Sequence, residues 1–320
     1  MNANDTNLFN VNVSIVHPEY FFIGGLTGVP YSHYYYIFLF CTYIIAVIGG
    51  CTVLLIIAFD RSLHSPKYIA VFNLALADFG ETNALIPNMM RTFLFESQYI
   101  SYNACLANMF LFLFNTTQCF TLVILAFDRF VAICLPLRYH AIINNTVMSL
   151  ICSAVWAFNA FQMALTMYFI SRLSMCKSNV IQSFFCDHGP VYRLACNDNS
   201  INSFIAKLNT GLYFIAPLML IVLSYLGIFL ALSKITTLEG RLKALKTCVS
   251  HLLLVTSLFL PIICIYLIAL TTYLSPNARI ISVSLAYATP PMLNPIIYVL
   301  NTAEIKLLIR KVFKIRSVPS

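Results

Sequence analysis

The sequence predicts an all-α membrane protein: a seven-transmembrane helix bundle with its N-terminus outside. Three observations carry this. Of 320 residues, 60% are hydrophobic and only 9% are charged, against about 25% charged in an ordinary soluble domain. Seven apolar runs reach the length of about 20 residues that a helix needs to cross a bilayer core. The 19 Lys and Arg residues cluster between those runs on one side, as topology signals do.

The elements follow in order. Residues 1–33 form a polar tail without Lys or Arg. It lacks the basic stretch and short apolar core of a cleavable signal, so the first apolar run is expected to insert the protein. That run is 34–59. The loop to the second span (68–94) carries Arg61 and Lys67. The third span (105–134) opens at Cys105 and closes on LAFDRFVAIC, where Asp128 and Arg129 follow more than twenty uncharged residues. The fourth (146–170) holds the single tryptophan, Trp156, read as packing. The fifth (203–233), a basic segment at 234–247, the sixth (245–271) and the seventh (280–301) complete the set, with a cytoplasmic tail at 302–320. Pro87, Pro217, Pro261 and Pro295 lie inside spans and are expected to kink them. No run alternates as barrel strands do.

Thirteen basic residues fall on the side of the C-terminal tail and six on the other: Arg91, Arg172, Lys177, Arg193, Lys207 and Arg279. The positive-inside rule puts the C-terminus in the cytoplasm. The formal charge of +8 is thus a topology signal, and nucleic acid is not an expected partner. Membrane lipid is. Four of the 11 cysteines, Cys105, Cys176, Cys186 and Cys196, then face the oxidising side and suit two disulfides in any of three pairings. Asn4-Asp5-Thr6 and Asn12-Val13-Ser14 are glycosylation sequons on the outer tail. Asn115-Thr116-Thr117 and Asn144-Asn145-Thr146 match by chance, inside a span and on the inner side.

Charges inside a span are costly and default to functional candidates. Asp78 and Glu81 lie three apart on one face of the second span. Two carboxylates so placed either keep a proton, hold a cation, or tie helices together by hydrogen bonds. Asp128 and Arg129 sit at the membrane edge, where a pair can break and re-form at small cost, as a two-state switch needs. The six histidines show no metal-ligand spacing, and no phosphate loop or nucleophile motif appears. An enzyme, a metal site and a cofactor are therefore not expected. Internal repeats with matching interrupted helices, the mark of many transporters, are missing too.

The fuller strings are similar to the odorant receptors, a family of rhodopsin-like G-protein-coupled receptors. LAFDRFVAICLPLRYH at 125–140 resembles their signature after the third helix. LHSPKY at 63–68 resembles the first inner loop, FFCDHGPVYRLAC at 184–196 the second outer loop, KALKTCVSHLLLV at 243–255 the start of the sixth helix, and PPMLNPIIYVLNTAEIK at 290–306 the seventh. The wording leans toward the fish-like branch. The resemblance implies that Cys105 pairs with Cys186 and Cys176 with Cys196. It implies that Asp128 and Arg129 lock the resting state, and that Arg129 released on activation packs toward Tyr225 and Tyr298. Asn294 and Pro295 belong to the implied seventh-helix switch. The implied partners are a small odorant and a stimulatory, olfactory-type heterotrimeric G protein that raises cyclic AMP. A chemosensory receptor for a metabolite outside olfaction is the first alternative, and a membrane transporter the second.

Departures from the family pattern carry their own expectations. Gly50 stands where an Asn would partner Asp78, and Gln118 where a Glu is common, so Glu81 is expected to supply the carboxylate of a polar or cation site with Asp78 and Gln118. The implied ligand pocket lies in the outer half of the bundle. Its expected lining is Phe112, Asn115 and Thr116 on the third span, Asn209 and Tyr213 on the fifth, Phe259 and Tyr266 on the sixth, and Ser284 and Tyr287 on the seventh. No acid sits in the outer third span to hold an amine. Leu270 replaces an anchoring Arg, so a carboxylate ligand would need Lys207, Arg91 or Arg193. A small, neutral, partly apolar molecule with one hydrogen-bonding group fits best.

Overall fold

The structure is a computed structural model and describes residues 15–26, 29–94, 98–234, 237–271, 275–301 and 304–307, without the side chains of residues 88, 91–94, 243, 266, 269–271 and 301. Asn4, Asn12 and the side chain of Tyr266 therefore lie outside the described residues.

Among the described residues seven helical segments are long and apolar enough to cross a membrane. They are α1 (Ser32–Phe59), α2 (Pro66–Leu94), α3 (Tyr102–Phe110) continued by α4 (Leu113–Cys134), α6 (Asn145–Ser171), α8 (Ser200–Thr210) continued by α9 (Ala216–Lys234), α10 (Leu238–Thr271) and α11 (Pro276–Asn301). Short helices α5 (Tyr139–Ile142) and α7 (His188–Tyr192) lie in the loops after the third and fourth spans. The span boundaries agree with the sequence reading except at α10. There the basic segment expected as a loop is helical from Leu238 onward. At 1.5 Å per residue a helix of 34 residues runs about 51 Å, well beyond a bilayer core of about 30 Å.

Local chemistry sets the ends. α2 and α11 begin on Pro66 and Pro276, whose missing N–H groups have no helical partner to lose. Ser101 caps α3 by accepting from the Ala104 N–H at 3.3 Å. Asn144 caps α6 by accepting from Val147 at 3.0 Å, so the chance sequon has a structural use. α4 stops at Cys134 because Leu135 precedes Pro136, which disfavours helical backbone. The third span is pinched at Leu111–Phe112, where Phe112 and Phe114 bond three residues back rather than four. In the fifth span a π-helical turn fills Gly211–Ile215. Pro217 has no N–H for the Tyr213 carbonyl, and the wider turn re-routes the bonding.

Lipid gives helices no hydrophobic drive to associate, so packing and interhelical hydrogen bonds hold the bundle. Trp156 is more than packing: its indole N–H donates to Asn73 on α2 at 3.0 Å. Asn159 donates to Thr117 at 3.1 Å. Tyr35 and Ser284 share a hydroxyl hydrogen bond of 2.5 Å that ties α1 to α11. Gly49 lets α1 approach α11; a Cβ there would sit 2.7 Å from Pro295.

The end bearing the long loop is covered by a small sheet of order β2-β1-β3, which the sequence reading did not expect. β1 (Tyr20–Ile23) lies in the segment read as tail. It pairs antiparallel with β2 (Tyr99–Ser101) and parallel with β3 (Val180–Ile181). Phe21 and Ile181 are buried beneath it beside Cys105, Met109 and Cys186.

Candidate functional site

Two disulfides fix the loop that roofs the bundle. Cys105 joins Cys186 (Cα–Cα 5.4 Å) and Cys176 joins Cys196 (5.7 Å). Asn108 on α3 adds a third tie, accepting from the Cys186 N–H at 3.2 Å. The loop therefore drops residues 185–193 over the gap between α4, α8 and α11.

Beneath lies a cavity of about 650 Å³. Phe112, Asn115, Asn209, Tyr213 and Tyr287 line it, as the sequence reading expected, together with Met109, Cys119, Met163, Thr166, Phe185, Ile262 and Ile265. Phe112 and Phe185 meet Tyr287 edge-on at 6.0 and 5.8 Å. Three expected residues do not line it. The Thr116 hydroxyl turns back to the Leu113 carbonyl. Phe259 is buried below the floor against Phe214. Ser284 is spent on Tyr35 and on the backbone of its own helix.

The mouth is charged. Asp187, His188, Arg193 and Arg279 all line it; of these the sequence reading offered only Arg193 as a ligand anchor, and Lys207 is exposed and outside the lining. Burial raises the Asp187 carboxyl above its ordinary value, against the pull of His188, Arg279 and the backbone N–H groups of Gly189 and His188. Burial lowers His188, against its hydrogen bond with Asn202 and the charge of Asp187.

The floor is polar and closes onto α2. Glu81 accepts from the Asn115 amide at 2.9 Å and from the Gln118 amide at 2.5 Å. Asp78 accepts instead from Asn294 on α11 at 2.8 Å, while its second oxygen is buried with no hydrogen-bond partner among the described residues. Ser257 on α10 donates to Asn294 at 3.3 Å. Asp78 and Glu81 thus face different neighbours, and Asn294 fills the role left open by Gly50.

At the opposite end Arg129 pairs with Asp128 at 3.7 Å, and Asp128 is 1% exposed. Tyr139 on α5 donates to Asp128 at 2.7 Å. Burial, then that hydrogen bond, raise the phenol above its ordinary value and keep it a donor. Tyr225 hydrogen-bonds to His251 Nδ1 at 2.9 Å, and His251 Nε2 lies 3.0 Å from the Leu122 carbonyl. Since only one ring nitrogen of a neutral imidazole carries a proton, Nε2 donates and Nδ1 accepts from Tyr225. His251 was missed as one of six scattered histidines; its place in KALKTCVSHLLLV was the available signal. Tyr298 is buried, and its hydroxyl has no hydrogen-bond partner among the described residues. A second cleft of about 280 Å³, lined by Val123, Phe127, Met148, Ile151 and Leu220, opens on the outer wall of the bundle and is apolar, as a lipid-facing groove should be. Among the described residues no group of three or more His, Cys, Asp or Glu could hold a metal.

Comparison with known proteins agrees with this architecture. The family model described as olfactory receptor matches residues 39–316. Olfactory receptor 1G1 of Gorilla gorilla gorilla is 36% identical over 279 residues, 87% of this chain and 89% of that relative. Olfactory receptor 13C2 of Homo sapiens is 36% identical over 294 residues (89% and 92%), and human olfactory receptor 52K1 is 32% identical over 306 (95% and 98%). The crystal structure of squid rhodopsin superposes with a TM-score of 0.72 at 18% identity, covering 90% of this chain and 87% of that one.

Proposed function

From the premise that the chain belongs to the olfactory receptor family, we propose that the outer cavity binds a small neutral odorant and that binding activates a stimulatory heterotrimeric G protein. As a member of that family the chain is a multi-pass plasma-membrane G-protein-coupled receptor and not an enzyme. The N-terminus and the roofed cavity are placed outside, with Asp128 and Arg129 at the cytoplasmic face and 302–320 as the inner tail. Asn4 and Asn12 carry the glycans.

The observation that carries the reading is one continuous path. The cavity floor at Asn115 is bonded to Glu81, Asp78 one turn away is bonded to Asn294, and Asn294 to α10 through Ser257. α10 carries His251, which reaches α4 and Tyr225 near the Asp128–Arg129 pair. A ligand that prefers one arrangement of α10 and α11 shifts the population at the cytoplasmic end by that preference. Arg129, freed from Asp128, then packs toward Tyr225 and Tyr298 and meets the G protein. The polar floor, Asp78, Glu81 and Gln118, tunes the resting state. Both Glu81 oxygens are taken by amides, so the cation or proton belongs at the open oxygen of Asp78. Asp78→Asn is expected to raise basal activity and remove its sodium dependence; a basal level and sodium response equal to wild type would remove this role.

The test is cyclic AMP in cells given a broad odorant panel, with wild type beside Arg129→Ala at matched surface level. Wild type is expected to respond and the variant to lose the response. Equal responses would sink the role of Arg129.

A further inference from the structure

Breaking the Asp128–Arg129 pair leaves a charge behind. Asp128 is 1% exposed, Arg129 is its ion-pair partner at 3.7 Å, and its Oδ2 has no hydrogen-bond partner among the described residues. The Tyr139 hydroxyl holds the other oxygen at 2.7 Å but brings no charge. A buried carboxylate that loses its cation and gains no other is strongly destabilised. An active state in which Arg129 has moved away therefore needs a second cation beside Asp128. Lys67 meets that need. It is the second residue of α2 and is partly buried. Among the described residues no carboxylate lies within 4.0 Å of it. Its ammonium rests 4.9 Å over the Tyr68 ring. Yet it is close enough for the charges of Arg129, Glu304 and Asp128 all to act on it. On local grounds the place is poor for a lysine, because the first turn of a helix carries positive partial charge and disfavours a cation. Glu304 is exposed, so water and salt screen its pull; Asp128 is buried and is screened far less.

We propose that Lys67 is the replacement partner of Asp128. When Arg129 leaves, the Lys67 ammonium moves from the Tyr68 ring to Asp128 Oδ2, so the switch exchanges one cation for another instead of stranding a carboxylate. A compact ammonium on a flexible four-carbon stem suits such a move. Tyr139 holds Oδ1 throughout and keeps the carboxylate in place for either cation. Lys67 is thus a positioning residue that sets how often the receptor visits its active state, because removing it raises the free energy of that state alone. The inference rests on the proposed role of the Asp128–Arg129 pair.

The test is ligand-free nucleotide exchange on purified G proteins of each class, catalysed by equal amounts of folded full-length receptor in lipid nanodiscs. Using every class keeps the result independent of the stimulatory coupling. Lys67→Met, of similar length and uncharged, should lower the exchange rate about tenfold, the effect of losing one hydrogen bond to a charged group. Lys67→Arg keeps the cation and should keep most of the rate. Asp128→Asn leaves no charge to compensate, so adding Lys67→Met to it should change nothing. An equal fall from Lys67→Met with and without Asp128→Asn would mean that Lys67 meets the G protein directly, and would overturn the proposal. So would a rise in Lys67→Met, the mark of a residue that holds the resting state. A loss in Lys67→Arg as large as in Lys67→Met would show that the charge is not what matters, and would overturn it too. Arg129→Ala runs beside these. If it is inactive, each of those outcomes removes the exchange of cations and leaves the role of Arg129 standing. If it matches wild type, or if wild type drives no class of G protein, the reading of the pair fails and the inference falls with it.

Discussion

Asp128 and Arg129 show what a single side chain adds to a motif. The pair is adjacent in sequence and 3.7 Å apart, yet the carboxylate is fixed by a third group, the Tyr139 hydroxyl at 2.7 Å. A hydrogen bond to a charged group is worth about 1.5–3 kcal/mol, and losing it leaves a buried carboxylate under-satisfied. Tyr139→Phe is therefore expected to weaken the resting lock and to raise ligand-free cyclic AMP several-fold at equal surface level; a basal level at or below wild type would show that Tyr139 does not support the lock. At this scale the sequence is legible where chemistry is rare. An acid within a span is visible at once, which is why Asp78, Glu81 and Asp128 stood out. Amides are common, and their roles depend on partners from other spans. Nothing in the sequence around Gln162 points to Asn209 on the neighbouring helix, and Thr116, with the right spacing for the cavity, spends its hydroxyl on its own backbone.

Among the elements, the spans were legible because length and apolar composition decide them, and Pro217 marked one place where the backbone departs from ideal. The turn widened before Pro217 and the pinch at Leu111–Phe112 are consequences of backbone bonding that a hydropathy pattern does not record. The outer sheet was illegible because β1, β2 and β3 are two to four residues each and come from three separate segments. The roofing loop is held by two disulfides and by buried polar contacts, among them the bond between His188 and Asn202 at 3.3 Å. Burial lowers the His188 imidazole in the folded chain. As pH falls below the ordinary imidazole value of about 6.5, the unfolded chain takes the proton first, so the stability that the neutral ring contributes is lost on the acid side. Asp187 has the opposite sign: its raised carboxyl takes a proton in the folded loop first and offsets part of that loss. Thermal stability is expected to drop from roughly pH 7 to roughly pH 5 and to drop less in His188→Gln. An equal drop in both would place the acid sensitivity elsewhere.

For the molecule as a whole, the cavity beneath the roofing loop and the Asp128–Arg129 pair lie toward opposite ends of the bundle, and α4 carries Asn115 and Cys119 at the one and the pair at the other. The polar contacts pass from α4 to α2, then to α11 and α10, and return to α4 through His251. Such a route lets a small preference at one end bias a discrete rearrangement at the other. It also separates two kinds of damage. On the proposed function, a change in the cavity wall is expected to weaken ligand binding and leave the switch intact, whereas a change at the switch is expected to leave binding intact and remove the output. The measurement that tests this most directly is the full concentration–response of cyclic AMP to one activating odorant in wild type, Asn209→Ala and Arg129→Ala at matched surface level, with binding measured alongside. The account predicts a shift to higher concentration with the maximum kept in Asn209→Ala, and a collapsed maximum with unchanged binding in Arg129→Ala. Identical curves for the two variants, or a maximum lost together with binding in Arg129→Ala, would contradict it.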